Sequence, residues 1–270
     1  MNKLTGIQGT SVIGMIHVEA LPGTPRSKKI FRDVVEKAKR EAMIYLKAGV
    51  DAVMIENMHD APYLNKNVGP EITASMTIIA REIRQILERV PCGIQILAGA
   101  NKEALAVAKV AQLNFIRAEG FVFAHVADEG VFESCAGELL RYRKQIEADH
   151  VLIFTDIKKK HSSHSITADT DISETAKAAE FFLSDGVIIT GTSTGSEAEI
   201  EEIKHVRESV RGVSVLVGSG VTLDNVDDYS KVSDALIVGS YFKKDGFWGN
   251  ELDIERVEKM MDKVNRYRVR

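Results

Sequence analysis

Six ionisable side chains stand at or just beyond the ends of short apolar runs, and each run is about as long as a β-strand. They are His17, Glu56, Arg117, Glu119, Asp156 and Lys158. Carboxylates close to cationic groups shift one another's pKa values, which is how general acids and bases are prepared for proton transfer. A set of this kind, brought together, predicts acid–base catalysis. A lysine near a carboxylate could also form a Schiff base with a carbonyl substrate, and Lys158 is the candidate for that role.

Strand alternation indicates that these side chains converge. Residues two apart share a face of a strand, so Glu56 continues the face of the apolar Met54 and Glu119 shares a face with Arg117. We therefore expect the ionisable groups to meet at one rim, formed by the carboxyl ends of the strands. Any one of them could instead form a structural ion pair. Arg117 with Glu119 or Glu56 is the first candidate for such a pair.

Small residues mark the ends of the last three apolar runs. Small side chains let backbone N–H groups approach an anion, and many (β/α)8 barrels bind phosphate in the loops after strands 7 and 8. The motif GSGVT at 218–222 and the later VGS at 238–240 fit this pattern. The predicted phosphate site comprises Gly191, Gly218, Ser219, Gly220, Gly239 and Ser240. The alternative is close packing of strands against helices. Neither GxGxxG nor GxxxxGK[ST] occurs in the sequence.

Three further residues are predicted to contact the substrate: Asn57, His161 and His164. The two histidines have H-x-x-H spacing in a basic loop, and with Asp156 they could hold a divalent metal ion. No flanking cysteine or HExxH helix supports that site. We therefore predict no metal site and no cofactor, and a bound divalent metal is the alternative. The simplest interpretation of the basic loop that contains His161 and His164 is that it is exposed to solvent.

The elements that must position these residues alternate between two periodicities. Apolar, β-branched runs predict parallel strands covered on both faces, at 11–18, 51–58, 92–97, 115–120, 151–158, 186–191, 213–218 and 234–240. Amphipathic helical patterns lie between them. Capping boxes at 171–174 and 196–199 are expected to begin two of the helices. Eight strand–helix units predict a single α/β domain over 1–270, a (β/α)8 TIM barrel of the phosphate-binding type rather than an open sheet. The longest strand-to-helix loops are expected after strands 1, 2, 4 and 5.

The composition excludes several classes of protein. The 270 residues carry 35 basic and 39 acidic side chains, a net charge of −4, which gives no general positive field for nucleic acid. No apolar run approaches the ~20 residues of a membrane helix, and no signal peptide is evident. Only Cys92 and Cys135 are present, too few for a disulfide framework, so we expect a cytoplasmic protein. Peripheral membrane association and homo-oligomer formation stay open.

Several motifs resemble those of the BtpA family, also called BtpA/SgcQ. They are VIGMIH at 12–17 leading into LPGTPR at 21–26, GVDAVMIEN at 49–57, DIK at 156–158 followed by the HSSH run, and GSGVT at 218–222. The resemblance extends over nearly the whole chain. It implies a phosphate-binding type of barrel. The photosynthetic protein that gives the BtpA family its name is implicated in photosystem I biogenesis as a peripheral thylakoid protein. Other members of the family resemble sugar-metabolism or nucleosidase-like enzymes.

Two classes of function follow. The first is an enzyme that acts on a small phosphorylated molecule, a sugar phosphate or nucleotide-like ester. In it, Glu56, Glu119 or Asp156 would move a proton, and His17, Arg117 or Lys158 would stabilise negative charge. The reaction would be that of an isomerase, a lyase or a nucleosidase-like hydrolase. The alternative is a non-catalytic, BtpA-type biogenesis or assembly factor for a membrane protein complex.

Overall fold

The apolar runs of the sequence form a closed parallel barrel in a computed structural model that describes residues 1–191, 193, 195–266 and 268, the side chains of Asn2 and Lys3 excepted. Its strands are β1 Ser11–His17, β2 Ala52–Glu56, β3 Cys92–Gln95, β4 Phe115–Ala118, β7 Leu152–Asp156, β9 Gly186–Thr190, β10 Ser214–Gly218 and β11 Ala235–Val238. Three short strands lie outside the barrel: β5 His125–Ala127, β6 Gly130–Phe132 and β8 Ser162–Ser163. The order around the barrel is β1-β11-β10-β9-β7-β4-β3-β2, so the expected (β/α)8 barrel is confirmed.

The helices follow the barrel strands in the predicted alternation. They are α2 Phe31–Ala48, α3 Pro70–Leu87, α4 Asn101–Ala111, α5 Ala136–Gln145, α6 Ile172–Phe181, α7 Ile200–Ser209, α8 Val226–Ser230 and α9 Ile254–Asn265, and the short α1 Asn2–Thr5 precedes β1. Their apolar faces cover the outer side of the barrel. In this way both faces of each strand are buried, which explains the continuous apolar runs.

One of the two predicted helix starts is confirmed. Asp171 caps α6, since its carboxylate accepts the backbone N–H of Glu174 at 2.7 Å. The other prediction is wrong, because α7 begins at Ile200 and Ser196 lies in the turn before it. The Ser196 hydroxyl is 2.5 Å from that of Ser193, so it stabilises this turn rather than a helix end.

Inward-facing side chains alternate along the barrel strands, as expected from parity. They form a separate apolar cluster inside the barrel that includes Ile13, Met15, Met54, Phe115, Phe154, Ile188, Leu216 and Ile237. On the inward face of the strands, apolar side chains give way to polar ones toward the carboxyl ends. The barrel is thus a packed core with a polar rim above it.

The loops at this rim are long after β1, β2, β4 and β7, as predicted. The segment 239–253 after β11 is also long, which the sequence analysis did not anticipate. A buried ion pair anchors it to α2, because Nζ of Lys243 lies 2.9 Å from each carboxylate oxygen of Glu41. This anchor holds the loop that carries Trp248 over the rim. No helix among the described residues has both the length and the apolar character needed to cross a bilayer.

Candidate functional site

His17 and Glu56 are the last residues of adjacent strands and stand opposite each other in the β1–β2 ladder. Nε2 of His17 lies 3.7 Å from Oε2 of Glu56. Nδ1 of His17 lies 3.1 Å from the carbonyl oxygen of Trp248. A carbonyl oxygen only accepts, so Nδ1 carries the proton and Nε2 is the ring nitrogen that faces the carboxyl group.

Burial favours the neutral form of both His17 and Glu56. Desolvation holds the pKa of His17 well below its usual value, and the charge of Lys243 lowers it further. Desolvation also raises the pKa of Glu56, and the nearby charges of Arg117 and Lys160 oppose that rise only in part. A carboxyl group whose pKa is raised keeps its proton to a higher pH than usual and can donate it to a bound substrate.

Arg117 forms a two-point ion pair with Asp156 on the neighbouring strand. Nε donates to Oδ2 at 2.9 Å and Nη2 donates to Oδ1 at 2.7 Å. The expected pairing of Arg117 with Glu119 or Glu56 is therefore wrong, although both carboxylates contribute to the electrostatic field around the guanidinium. Burial opposes the charge on Arg117, and Asp156 more than offsets it, so the pKa of Arg117 is raised. With both carboxylate oxygens occupied, Asp156 is placed to hold Arg117 rather than to accept a proton.

Glu119 lies just beyond β4 and is paired with a lysine from the loop after β7. Nζ of Lys159 donates to Oε1 of Glu119 at 3.2 Å, and the same ammonium lies 5.2 Å from the ring centroid of Phe132. The other carboxylate oxygen of Glu119 is buried and has no hydrogen-bond partner among the described residues. Glu119 is thus close to the cluster but is held by an ion pair of its own.

Lys158 does not join the cluster, contrary to the expectation from strand parity. Its backbone is left-handed, with φ of 47°, so the alternation ends at Asp156. Its Nζ donates to the carbonyl oxygen of Thr167 at 3.0 Å and lies 3.2 Å from the Thr167 hydroxyl. Lys160, two residues further on, lies beside Glu56 and Arg117 instead.

The predicted substrate contacts are also separated. Asn57 is buried with its amide engaged on both sides: Nδ2 donates to Asp60 and Oδ1 accepts the N–H of Leu97. His161 lies with Lys160 at the rim, whereas His164 faces away from it and has Nε2 3.1 Å from the carbonyl oxygen of Lys159. The two histidines therefore do not converge on one point. Within the described residues, no group of three or more His, Cys, Asp or Glu side chains is arranged to hold a metal ion.

Two neighbouring cavities open at the rim. The first, of about 170 Å³, is bounded by His17 and the loops after β10 and β11. The second, of about 310 Å³, is bounded by Gln95, Leu97, Glu119 and Trp248 among others. Their shared wall consists of Glu56, Met58, Arg117 and Lys160. The chemical groups thus lie at the junction of the two spaces.

The first cavity contains much of the predicted phosphate site. Ser219, Gly220, Gly239 and Ser240 line it, together with Arg256. The backbone N–H groups of Gly220, Val221 and Ser240 donate to no group among the described residues. Nε of Arg256 donates to the carbonyl oxygen of Tyr241 at 2.5 Å, and the other N–H groups of its guanidinium have no acceptor among the described residues. Unused amide donors beside a guanidinium form a corner suited to an anion.

Several of the predicted phosphate residues have a packing role, and for Gly220 and Ser219 this comes in addition to lining the first cavity. A Cβ atom on Gly191 or on Gly220 would lie 2.3 or 2.4 Å from the carbonyl oxygen of Ser196. Gly191 and Gly218 line neither cavity. The Ser219 hydroxyl donates to the carbonyl oxygen of Ser193 and accepts the N–H of Gly195. These small residues let the loop after β9 fold closely against the loop after β10.

Four rim residues escaped the sequence analysis. Gln95 ends β3 on the same face as Gly93, so the parity argument applied to the other strands would have found it. Lys160 belongs to the basic run that was noted, but its position depends on the left-handed turn at Lys158. Trp248 and Arg256 come from the long segment after β11 and from α9, and no local pattern identifies them.

Comparison with known proteins shows which family and which fold this chain resembles. The model of the BtpA family matches residues 8–266. A Caenorhabditis elegans protein whose name places it in mitochondria is 48% identical over 269 residues, which cover 98% of this chain and 96% of that protein. The photosystem I biogenesis protein BtpA of Synechocystis is 31% identical over 253 residues, covering 93% and 86%. Among solved structures, the fold is similar to that of (S)-3-O-geranylgeranylglyceryl phosphate synthase from Thermoplasma acidophilum, solved in complex with sn-glycerol-1-phosphate. The TM-score is 0.58 at 12% sequence identity, and the alignment covers 98% of this chain and 96% of the synthase chain. That likeness concerns the fold.

Proposed function

This chain belongs to the BtpA family, and we propose that it is an enzyme that acts on a small phosphorylated molecule by proton transfer at the carboxyl-end rim of its barrel. One observation carries the proposal: Glu56, Arg117 and Lys160 form the wall common to both cavities. A ligand that occupies both cavities places the connection between its two parts against these groups. Reactive groups at such a junction suit the making, breaking or rearrangement of a bond there.

The phosphate group of the ligand occupies the first cavity. The N–H groups of Gly220, Val221 and Ser240, which have no acceptor in the described part of the chain, supply donors there, and Arg256 supplies a positive charge. The complex of the synthase from Thermoplasma acidophilum with a glycerol phosphate supports this class of ligand for the fold. The loops after the seventh and eighth strands hold phosphate in many barrels of this kind.

Proton transfer falls to Glu56 with His17 beside it. The raised pKa of Glu56 lets it act as a general acid, and the neutral His17 places its unprotonated Nε2 3.7 Å from Oε2 of that carboxyl group. Arg117 and Lys160 stabilise negative charge that develops on the substrate. The substrate is a sugar phosphate or a nucleotide-like ester, and the reaction is an isomerisation, an elimination or a nucleosidase-like cleavage.

The second candidate is a biogenesis or assembly factor for a membrane complex. The name of the Synechocystis relative, at 31% identity, favours it. Such a factor binds its partner through the surface of the barrel and does not need proton transfer at the rim. Either function suits our predicted location in the cytoplasm, although the name of the Caenorhabditis relative points to mitochondria for that protein.

Substitution of Glu56 separates the two candidates. A panel of sugar phosphates and nucleotides is first screened for binding by calorimetry and for conversion by NMR. With the ligand that is converted, Glu56→Gln should retain binding and lose at least 100-fold in kcat, the lower range of a general acid–base contribution of about 10²–10⁴. The matched control is Glu258→Gln on the exposed face of α9. Equal turnover by Glu56→Gln and the wild type would contradict the proposed chemistry, and a folded protein that converts none of the panel would favour the assembly factor.

A further inference from the structure

Three consecutive lysines in the loop after β7 have different surroundings. Lys158 is tied to Thr167 and Lys159 is paired with Glu119. The ε-amine of Lys160 forms no hydrogen bond or ion pair within the described part of the chain, although the residue is half-buried at the wall between the two cavities. A lysine side chain placed this way is available to a ligand in either cavity.

The loop that carries Lys160 is fixed at this position. The backbone N–H of Lys160 donates to the hydroxyl of Thr190, the last residue of β9, at 3.2 Å. Burial and the charge of Arg117 lower the pKa of the Lys160 amine, and the carboxylates of Glu56 and Asp156 oppose this shift. Desolvation and an adjacent cation are the conditions under which a lysine amine becomes a nucleophile near neutral pH.

We propose that Lys160 forms an imine with the carbonyl group of a phosphorylated aldehyde or ketone that spans the two cavities. The proposal rests on the proposed function, because the phosphate group of the carbonyl compound must bind in the first cavity to position the carbonyl group beside Lys160. Lys160 thus takes the role that the sequence analysis assigned to Lys158.

The chemical balance of the step is simple. The nitrogen lone pair adds to the carbonyl carbon, the carbonyl oxygen takes the proton of the Glu56 carboxyl group, and the added nitrogen returns one of its protons to the Glu56 carboxylate. The resulting carbinolamine takes that proton on its hydroxyl and loses water as the C=N bond forms, and the second nitrogen proton passes back to Glu56. Amine and carbonyl thus give imine and one water, with no oxidant or reductant. The imine then withdraws electrons from the neighbouring carbon, which eases proton removal or carbon–carbon cleavage there.

Reductive trapping tests the proposal on the full-length protein. Dihydroxyacetone phosphate, glyceraldehyde 3-phosphate and ribose 5-phosphate are each incubated with the protein, and sodium borohydride is added to convert an imine to a stable amine. Intact mass spectrometry measures the increment, and peptide mapping compares Lys158, Lys159 and Lys160 in the same digest. We expect one dominant adduct with at least one of the three compounds, located on Lys160 and at least tenfold more abundant there than on either neighbour.

Variants distinguish nucleophilic from electrostatic roles. Lys160→Arg keeps the positive charge but removes the amine, so the dominant adduct should disappear. Lys158→Arg, which keeps a cation able to donate to Thr167, should be trapped like the wild type. Adducts spread over exposed lysines with none at Lys160, or equal trapping of Lys160→Arg and the wild type, would overturn the proposal.

Two further measurements separate this proposal from the proposed function. If inorganic phosphate binds in calorimetry and all three compounds leave Lys160 unmodified, the imine proposal fails and the phosphate site stands. If dihydroxyacetone without its phosphate is trapped on Lys160 as readily as the phosphorylated form, the imine proposal stands and the phosphate anchor fails.

Discussion

The guanidinium of Arg117 and the carboxylate of Asp156 form a two-point ion pair across adjacent barrel strands, with hydrogen bonds of 2.9 and 2.7 Å. Both residues are buried, at 7% exposure each, so solvent screens the pair weakly. A pair so placed fixes the Arg117 side chain at the junction of the cavities. It also makes each partner dependent on the other, since removing one leaves a buried charge without compensation.

Asp156→Ala should therefore lower the free energy of unfolding by about 3–5 kcal/mol. The measurement is equilibrium unfolding in urea, followed by circular dichroism. The double variant Arg117→Met/Asp156→Leu removes both charges and should recover most of the loss. A single variant as stable as the wild type would show that Arg117 finds another partner, with Glu56 or Glu119 as the candidates nearby.

Arg256→Met should weaken the binding of inorganic phosphate by roughly tenfold or more. Hydrogen bonds to charged groups are worth about 1.5–3 kcal/mol each, and the side chain lines the first cavity. The control is Lys259→Met, which removes the same charge from the exposed face of the same helix. Calorimetry of both variants gives the comparison. Equal losses would show a long-range effect of net charge rather than a contact at this corner.

Three buried or half-buried histidines should each contribute stability that is lost as the pH decreases from about 6.5 toward 4. Burial lowers the pKa of His59 and of His125 to about 4, and holds that of His17 well below its usual value. Below about pH 6.5 the unfolded chain binds protons at these residues while the folded chain does not, so the stability that is present above pH 6.5 is lost as the pH falls. Each such proton contributes up to about 1.4 kcal/mol per pH unit.

Unfolding in urea at pH 7.5 and at pH 5.5 measures this dependence. His125→Gln removes one of the three groups and should reduce the difference in unfolding free energy between the two pH values. His205→Gln, at an exposed position on α7, should leave the difference unchanged. A wild-type difference that His125→Gln does not alter would assign the pH dependence to other residues.

Asp171→Ala should lower the free energy of unfolding by about 0.5–2 kcal/mol. The carboxylate caps α6 by accepting the N–H of Glu174, and a helix that loses its N-cap exposes an unsatisfied donor. Asp169→Ala, in the exposed loop just before it, is the matched control and should change stability by less than about 0.5 kcal/mol. Thermal unfolding of the three proteins provides the test, and equal midpoints for the two variants would contradict it.

Strand parity explains what the sequence by itself determined. The alternation of side chains is a local consequence of backbone geometry, so it correctly placed His17, Glu56, Arg117 and Asp156 on the inner face of the barrel. The count of eight strand–helix units along the chain likewise favoured a closed barrel over an open sheet. Each unit is recognised from the periodicity of its own residues.

Only the tertiary structure decided which of these groups meet. Arg117 pairs with Asp156 rather than with Glu119 because β4 and β7 are neighbours in the barrel and their register sets Arg117 opposite Phe154, two residues before Asp156. Lys160 replaces Lys158 at the rim because the left-handed backbone of Lys158 ends the strand alternation at Asp156. Trp248 and Arg256 reach the site from a distant loop and helix. Such contacts arise from packing between segments far apart in the chain, which no local periodicity encodes.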